Sequence, residues 1–546
     1  ENGDKSGHHL IVLAKNYKGY KNLIKLVSRA WVDGYYYRPR TDREDLEKYH
    51  EGLIVCSACI AGEVPAKVLK GDIEGAREAC KWYHNIFGDD YYLELQRHEV
   101  TDPTLIANRE TFPLQQQANK ALIEMAREFG IKLVCTNDCH FEDKETAEAH
   151  DHLLCLSTGK DLNDPTRMLY TKQEWFKTRQ EMNDVFSDIP EALSNTLEIL
   201  DKVEMYSIEH GPIMPFFPIP ESFGTEEEWR QKFSTDDLYR EFTTDENGNN
   251  QLSPEEGQKV IDRLGGYDKI YRIKFEADYL AKLAYDGARD PSRYGENLSD
   301  EVKEHINFEL HVMKTMGFPG YFLIVSDFIN AARIELGVMV GPGRGSAAGS
   351  VVAYCLGITK IDPLKYDLLF ERFLNPDRVN LPDIDTDFDD DGRGRVLQWV
   401  MDKYGHENCA HIITYASMAT KNSIKDVARV EKLPLDISNA LCKAIPERLP
   451  DGLKMNLTNA IKCTPELREA ESSADPRERN TIKYAKMLEG TVRGTGIHAC
   501  GFIICRNAIS DWVPVSTADD PDFKGLKVPV TQYDGHVIES TGLIKM

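Results

Sequence analysis

The chain has 546 residues, 90 of them acidic and 66 basic, which gives a formal net charge of −24. Hydrophobic residues make up 41% and charged residues 29%, an ordinary balance for a globular protein of roughly three or four domains. No run of about 18 apolar residues occurs, so we expect no membrane span. The acidic balance argues against a general affinity for nucleic acid but leaves room for local basic sites. The 12 Cys without an export signal indicate the cytoplasm, and the abrupt ends indicate a fragment.

The first 140 residues alternate between strand and helix patterns. Strands are predicted at 9–14, 52–56, 91–96 and 132–136, with helices at 18–33, 73–86 and 114–129. This alternation predicts parallel βα units, and therefore a barrel or a doubly wound sheet whose active groups follow the carboxyl ends of strands. Cys59, His98, Asp138 and His140 all come just after predicted strands.

Beyond residue 210 the pattern changes several times. The Pro-rich stretch at 211–220 cannot form a helix interior and predicts an extended linker at a domain boundary. The remaining pattern is polar and helical over 225–316, mixed α/β over 321–416, mainly helical over 418–490, and strand-forming from 493 onward.

The strongest chemical signal is the acidic segment LPDIDTDFDDD at 381–391. In a strand, Asp383, Asp385 and Asp387 share one face, because side chains alternate, and the apolar residues between them share the other. Carboxylates crowded on one face repel each other, and a hard divalent cation such as Mg²⁺ removes that cost. Two such ions about 4 Å apart serve phosphoryl transfer. An acidic surface turn is the plainer alternative.

A glycine-rich turn precedes the acidic segment, in the run GVMVGPGRGSAAGSVVAY at 337–354. The pattern predicts a strand at 338–340, a turn, and a helix from Ala347 with Ser346 as its N-cap. Glycines let the backbone approach a ligand, a helix N-terminus favours phosphate, and Arg344 adds positive charge. A tight structural turn is the alternative. A phosphate-binding turn beside a carboxylate set is the combination that nucleotidyl transfer needs.

The run from Gly341 to Phe388 resembles the palm of the bacterial DNA polymerase III alpha family, the family C polymerases. Residues 317–329, 412–430, 494–505 and the final GLIKM are similar to it as well. The resemblance implies a multidomain α/β protein, in which a PHP-type (β/α) barrel lacking its N-terminus precedes a mixed α/β nucleotidyltransferase-like palm with an inserted helical thumb. The implied boundaries are 1–210 for the PHP domain, 211–316 for a linker and helical lead-in, 317–416 for the first part of the palm, 417–492 for the thumb, and 493–546 for the second part of the palm.

The resemblance also implies roles for palm residues. Asp385 and Asp387 match the family's catalytic carboxylates, which hold two Mg²⁺ ions, while Asp383 is structural. The residues implied to bind the nucleotide's phosphates are Arg344, Gly345, Ser346, Arg372 and Lys545. The family's third catalytic Asp directly follows the segment that ends here at Met546. We therefore expect the chain by itself not to polymerise DNA.

Basic residues of the implied thumb lie on one helix face. Lys421, Lys425 and Arg429 are spaced four residues apart, and we expect them to contact the DNA backbone in a sequence-independent and salt-sensitive way. A solvated basic face is the alternative for each of them.

Four residues of the N-terminal region match PHP metal ligands, namely His9, Cys59, Asp138 and His140. The family's earlier ligands, including an H-x-H motif, would precede residue 1, so the resemblance implies an incomplete set. It implies Zn²⁺ or Mn²⁺ at this site in the full-length protein. A zinc ribbon using Cys56 and Cys135 is disfavoured, because both lie inside predicted strands.

The implied function is template-directed DNA synthesis in chromosomal replication, by transfer from a dNTP to the primer 3′-OH. The implied partners are primer–template DNA, dNTPs, a sliding clamp, a proofreading exonuclease subunit and a clamp loader. Two alternatives stay open. One is a PHP-type metallophosphoesterase or 3′–5′ exonuclease. The other is a DNA-binding scaffold without activity, against which Asp385 and Asp387 argue, since a pure binder gains nothing from carboxylates facing phosphates.

Overall fold

A computed structural model describes residues 7–250, 252–375 and 382–546. The chain divides into two compact units, one comprising Glu1–Ile208 with Ile413–Ile497 and the other Glu209–Ile412 with His498–Met546. Leu381, the first residue of the acidic segment, lies outside the described residues. Among the described helices, none combines the length and apolar character that a bilayer span requires.

The strands of the described residues form two four-stranded sheets, with the orders β1-β2-β3-β4 and β6-β5-β8-β7. Their bounds are β1 Ile11–Ala14, β2 Leu53–Cys56, β3 Tyr91–Leu95, β4 Lys132–Cys135, β5 Cys409–Ser417, β6 Val492–Ile504, β7 Val515–Asp519 and β8 Lys527–Asp534.

Helices account for most of the remaining regular structure. In the first half of the chain they are α1 Tyr17–Val32, α2 Arg43–Lys48, α3 Glu63–Leu69, α4 Ile73–Phe87, α5 Thr111–Phe129, α6 Ala147–Thr158, α7 Arg179–Val185, α8 Pro190–Lys202, α9 Glu226–Lys232, α10 Thr235–Thr243, α11 Pro254–Arg263 and α12 Tyr267–Ala288. They continue as α13 Asp300–Thr315, α14 Pro319–Ile334, α15 Val351–Cys355, α16 Asp390–Tyr404, α17 Thr420–Val430, α18 Leu435–Ala444, α19 Leu457–Cys463, α20 Pro465–Glu471, α21 Pro476–Leu488 and α22 Gly535–Ser540. Short 3₁₀ helices lie at Gly88–Asp90, Lys144–Thr146, Gly345–Gly349, Phe370–Arg372, Pro450–Gly452 and Ile509–Asp511.

The first sheet follows the predicted alternation of strands and helices. β2, β3 and β4 run parallel, and β2 and β3 are buried along their whole length, as central strands covered by helices are. β1 pairs antiparallel with β2, with Ile11 opposite Cys56, so the prediction of parallel units throughout is wrong at this strand. Strand direction depends on the path of the connection, which a local apolar run does not encode.

The helices α17 to α21 belong to the same compact unit as the first sheet. They show the helical character predicted for 418–490 and bury a core of their own around Ile424, Leu457 and Ile482. α17 and α21 also pack against α6. At that contact the buried His152 ring lies 2.6 Å from the carboxylate of Glu431.

The second unit has a core formed largely by the apolar faces of α12, α13 and α14. Leu280, Ile306 and Phe322 are fully buried there, and α15 and α16 pack against the same core. The Pro-rich stretch is extended, as predicted, and pairs with the chain near Leu543, while its Phe217 is buried in the core. These elements place the glycine turn next to the acidic segment.

Candidate active site

The acidic segment and the glycine turn meet at a single antiparallel bridge between Val340 and Phe388. The Gly341 N–H donates to the carbonyl oxygen of Asp387 at 2.8 Å. The regular strands predicted at 338–340 and across the aspartates are therefore wrong. Pro342 has no N–H to continue a ladder, and α16 begins directly after Asp389.

Asp389 has a structural role that sequence reasoning missed. Its carboxylate accepts hydrogen bonds from the N–H groups of Met339 at 2.7 Å and Gly392 at 2.6 Å. It thereby caps α16 and ties the start of that helix to the glycine turn. The pattern D-x-x-G at the start of the helix was the available signal.

Arg344 bridges the two carboxylates that the resemblance marks as catalytic. Its Nη1 lies 2.7 Å from Oδ2 of Asp385, and its Nε lies 3.2 Å from both carboxylate oxygens of Asp387. The bond to Asp387 raises the pKa of the Arg344 guanidinium. All three side chains are half exposed, at 42% for Asp385, 59% for Asp387 and 56% for Arg344. The structure thus brings together two open carboxylates that share one cation.

The serine that caps the following helix is Ser350 and not Ser346. Gly345–Gly349 forms a 3₁₀ helix, and α15 starts after it with the Ser350 hydroxyl accepting from the Ala353 N–H at 3.0 Å. The N-cap prediction for Ser346 is therefore wrong. Local sequence offers two serines four residues apart, and a tertiary contact to Glu309 decides between them.

Glu309, on α13, is a fully buried carboxylate beneath this loop. It accepts from the Ser350 hydroxyl at 2.7 Å and from the N–H groups of Val351 at 2.8 Å and Val352 at 2.9 Å. Burial raises the pKa of Glu309 to about 7, against the opposing effect of these donors. The Glu309 carboxyl group thus fixes the start of α15 through three hydrogen bonds.

The other predicted phosphate-binding residues line two cavities, one of which also contains the two carboxylates. Gly345 and Ser346 line a cavity of about 960 Å³ together with Arg372, which ends a 3₁₀ helix and is exposed. Lys545 lines a second cavity of about 470 Å³ with Arg344 and both aspartates. Its Nζ lies 3.4 Å from a carboxylate oxygen of Glu539. We call the second cavity the acidic cleft.

The four predicted PHP ligands form two close pairs. Nδ1 of His9 lies 3.4 Å from Sγ of Cys59, and Nδ1 of His140 lies 2.7 Å from the carbonyl oxygen of Asp138. The second ring nitrogen of His140 lies 3.1 Å from the Tyr170 hydroxyl. Burial raises the pKa of the Cys59 thiol, and the nearby Asp138 raises it further. We call these four residues the PHP cluster.

The described residues contain no group of three or more His, Cys, Asp or Glu side chains arranged to hold a metal ion. Metal binding by the PHP cluster, as Zn²⁺ or Mn²⁺, therefore stays a prediction. Cys56 and Cys135 are buried within β2 and β4, where the sequence placed them.

The predicted DNA-contacting residues lie along one side of α17. Lys421, Lys425 and Arg429 are exposed, whereas Ile424 and Val427 are fully buried on the opposite side. The basic face is therefore open to a ligand.

Comparison with known proteins identifies the family. The model of the bacterial DNA polymerase III alpha NTPase domain matches residues 278–546, and the PHP domain model matches residues 2–98. The chain is 39% identical over 544 residues to the DNA polymerase III subunit alpha of Borreliella burgdorferi, covering 99% of this chain and 41% of that protein. It is also 39% identical over 553 residues to the Thermus aquaticus subunit, covering 98% of this chain and 43% of that protein. The chain thus spans less than half the length of these relatives, and it belongs to the bacterial DNA polymerase III alpha family.

Proposed function

We propose that the protein containing these residues synthesises DNA on a template during chromosomal replication in the bacterial cytoplasm. It would join a dNTP to the primer 3′-OH by two-metal nucleotidyl transfer. The observation that supports this most is the pair Asp385 and Asp387, open to one cleft and bridged by Arg344. A metal-dependent phosphoryl-transfer site needs two carboxylates in reach of one ligand, and this pair meets that need in an open cleft.

The carboxylate pair fits Mg²⁺. Its oxygens are the hard ligands that this ion prefers, and the open cleft leaves room for water and phosphate oxygens at the other positions. The contact of both carboxylates with the guanidinium of Arg344 supports this fit, since both side chains reach one positively charged group. Bound Mg²⁺ supplies the positive charge that stabilises the attacking and leaving oxygens in phosphoryl transfer.

The residues of the chain divide the remaining work. Asp385 and Asp387 would hold the metals, and the guanidinium of Arg344 would then be available to bind the triphosphate. Gly345 and Ser346 offer backbone and hydroxyl donors to the same phosphates. Arg372 and Lys545 add charge from the two cavities beside the carboxylates. Electrostatic stabilisation by such fixed donors is the main protein contribution to this chemistry.

DNA and protein partners follow from the same proposal. The basic face of α17 would contact the backbone of the primer–template duplex. A sliding clamp, a proofreading exonuclease subunit and a clamp loader would bind the full-length protein. We expect residues 1–546 alone not to extend a primer, because the resemblance places a third carboxylate beyond Met546. Robust extension by this segment alone would overturn that expectation.

The test is primer extension by the full-length gene product with Mg²⁺. We expect Asp385→Asn and Asp387→Asn each to lower the rate by roughly 1,000-fold or more, with primer–template binding retained. Asp390→Asn, an exposed aspartate of the same acidic run, is the matched control and should stay within a few-fold of wild type. Normal extension by both active-site variants would show that the acidic cleft is not the catalytic centre.

A further inference from the structure

His498 lies on β6 and lines the acidic cleft together with Arg344, Lys545 and the two aspartates. Its side chain is partly exposed. The sequence resemblance gave this residue no role. Its position in the cleft raises the question of which of its ring nitrogens faces a ligand.

The backbone of β6 fixes the tautomer of His498. Nδ1 accepts hydrogen bonds from the N–H groups of Cys500 at 3.1 Å and Gly501 at 2.7 Å. An atom that accepts two N–H groups carries no hydrogen, so the ring proton of the neutral imidazole lies on Nε2. Within the part of the chain that the structure describes, Nε2 has no hydrogen-bond partner. The ring is therefore held by the hydrogen bonds to Nδ1 and presents an N–H donor at Nε2.

Gly501 holds the His498 ring beside Lys545. A Cβ atom at Gly501 would lie 3.2 Å from Nδ1 of His498 and 3.2 Å from Cδ of Lys545. Both side chains therefore lie close to the same backbone position, where Cδ1 of Ile412 would lie 2.8 Å from that Cβ atom. Residue 545 is itself fixed by an antiparallel bridge to Ile503. The Nε2–H donor, the ammonium of Lys545 and the guanidinium of Arg344 thus line one cleft.

We propose that His498 donates its Nε2–H to a phosphate oxygen bound in the acidic cleft, and so is a substrate-binding residue. The proposal rests on the proposed function and adds a residue to it. Three donors with no acceptor among them suit an anionic oxygen. That oxygen belongs either to the triphosphate of the incoming dNTP or to the terminal phosphodiester of the primer, which share this chemistry.

Two substitutions separate this role from a structural one. The Oδ1 atom of Asn occupies the place of Nδ1, so His498→Asn keeps the acceptor for the two backbone N–H groups and loses the outer donor. The amide nitrogen of Gln occupies the place of Nε2, so His498→Gln keeps the outer donor and loses the backbone lock. Measurements are steady-state primer extension, primer–template Kd and thermal midpoint, all on the full-length gene product.

We expect His498→Asn to keep its thermal midpoint and lower kcat/KM by about 10- to 100-fold, the cost of one hydrogen bond to a charged group. His498→Gln should stay within a few-fold in kcat/KM despite a lower midpoint. A raised KM for dNTP at unchanged primer–template Kd assigns the oxygen to the triphosphate, and a raised Kd assigns it to the primer. The proposal would be overturned if His498→Gln lost more kcat/KM than His498→Asn, if both variants lost it equally, or if neither variant lost any. Asp385→Asn in parallel tests the proposed function separately.

Discussion

The acidic cleft and the PHP cluster differ in how far their polar groups are already bonded. In the cleft, Asp385 and Asp387 are open to solvent and share a single guanidinium. In the PHP cluster, both ring nitrogens of His140 have partners and His9 faces Cys59. A metal entering the cleft would displace the guanidinium of Arg344 from the two carboxylates. A metal entering the PHP cluster would displace the Tyr170 hydroxyl from His140 and separate His9 from Cys59, while the bond from His140 to the Asp138 carbonyl could stay. The two regions therefore differ in what a metal would replace, a charged side chain in the cleft and neutral groups in the PHP cluster.

Both regions place a buried carboxylate under the candidate site. Glu309 accepts from the start of α15, and Glu94 accepts from the Ala58 N–H at 3.1 Å next to Cys59. Burial raises the pKa of both carboxyl groups. The two regions thus share a buried carboxyl group that accepts hydrogen bonds from the backbone, and they differ in their exposed side chains.

The largest expected effect separates the two regions directly. Asp387→Asn in the cleft should lower primer extension by the full-length gene product by roughly 1,000-fold. Asp138→Asn in the PHP cluster should change it by less than about five-fold, because the described side chains that line the acidic cleft do not include Asp138. Parallel single-turnover assays at one Mg²⁺ concentration measure both rates. Equal losses in the two variants would break the comparison.

The next effect concerns Glu309, the carboxyl group buried against the start of α15. The folded-state pKa of Glu309, about 7, is above the usual 4.5, so the folded protein binds the extra proton. Stability from this group is therefore present at low pH and is lost as pH rises from about 4.5 through 7. A pKa shift of this size corresponds to a change of roughly 3 kcal/mol in the free energy of unfolding across that pH range.

Glu309→Gln should remove that pH dependence, although it lowers stability at every pH by replacing an acceptor. As the pH rises from 5 to 7.5, we expect the thermal midpoint of wild type to decrease relative to that of the variant. The control is Glu301→Gln, at an exposed position of the same helix α13. A constant difference between wild type and the Glu309 variant across this range would contradict the assignment.

Much of the fold could be predicted from local sequence, because it follows from periodicity. The helix predicted at 18–33 is found at Tyr17–Val32, and the strand predicted at 52–56 is found at Leu53–Cys56. The errors arose where contacts between distant residues decide. Glu309, on a separate helix, selects Ser350 over Ser346 as the cap, and the direction of β1 depends on its connection.

The candidate site shows the same limit. The alternating spacing of Asp383, Asp385 and Asp387 marked this segment as a candidate site, whereas the choice of Asp385 and Asp387 came from the family resemblance. His498 could not be found in this way, because the N–H groups of Cys500 and Gly501 orient its ring and the fold places it in the cleft. A lone histidine in a strand carries no such information.

A smaller effect tests whether Arg344 competes with a metal ion for the two carboxylates. Arg344→Ala should tighten Mn²⁺ binding in the absence of nucleotide by a few-fold, since a competing charge is removed, and should raise KM for dNTP about ten-fold. Arg393→Ala is the control, because Arg393 lines the same cleft without bonding to either aspartate. Electron paramagnetic resonance of free Mn²⁺ measures the first effect. Weaker Mn²⁺ binding would show that Arg344 supports the carboxylates and does not compete for them.

The smallest expected effect lies outside both sites, on the basic face of α17. Lys425→Ala should weaken primer–template binding about three-fold and lower the slope of log Kd against log salt by about one, since each phosphate contact releases about one counterion. Lys120→Ala, an exposed lysine on α5, removes the same charge elsewhere and should leave the slope unchanged. Fluorescence anisotropy over a salt series measures both. The slope is the decisive quantity. The lost positive charge weakens DNA binding by both variants alike, whereas only the loss of a direct phosphate contact lowers the number of counterions that binding releases.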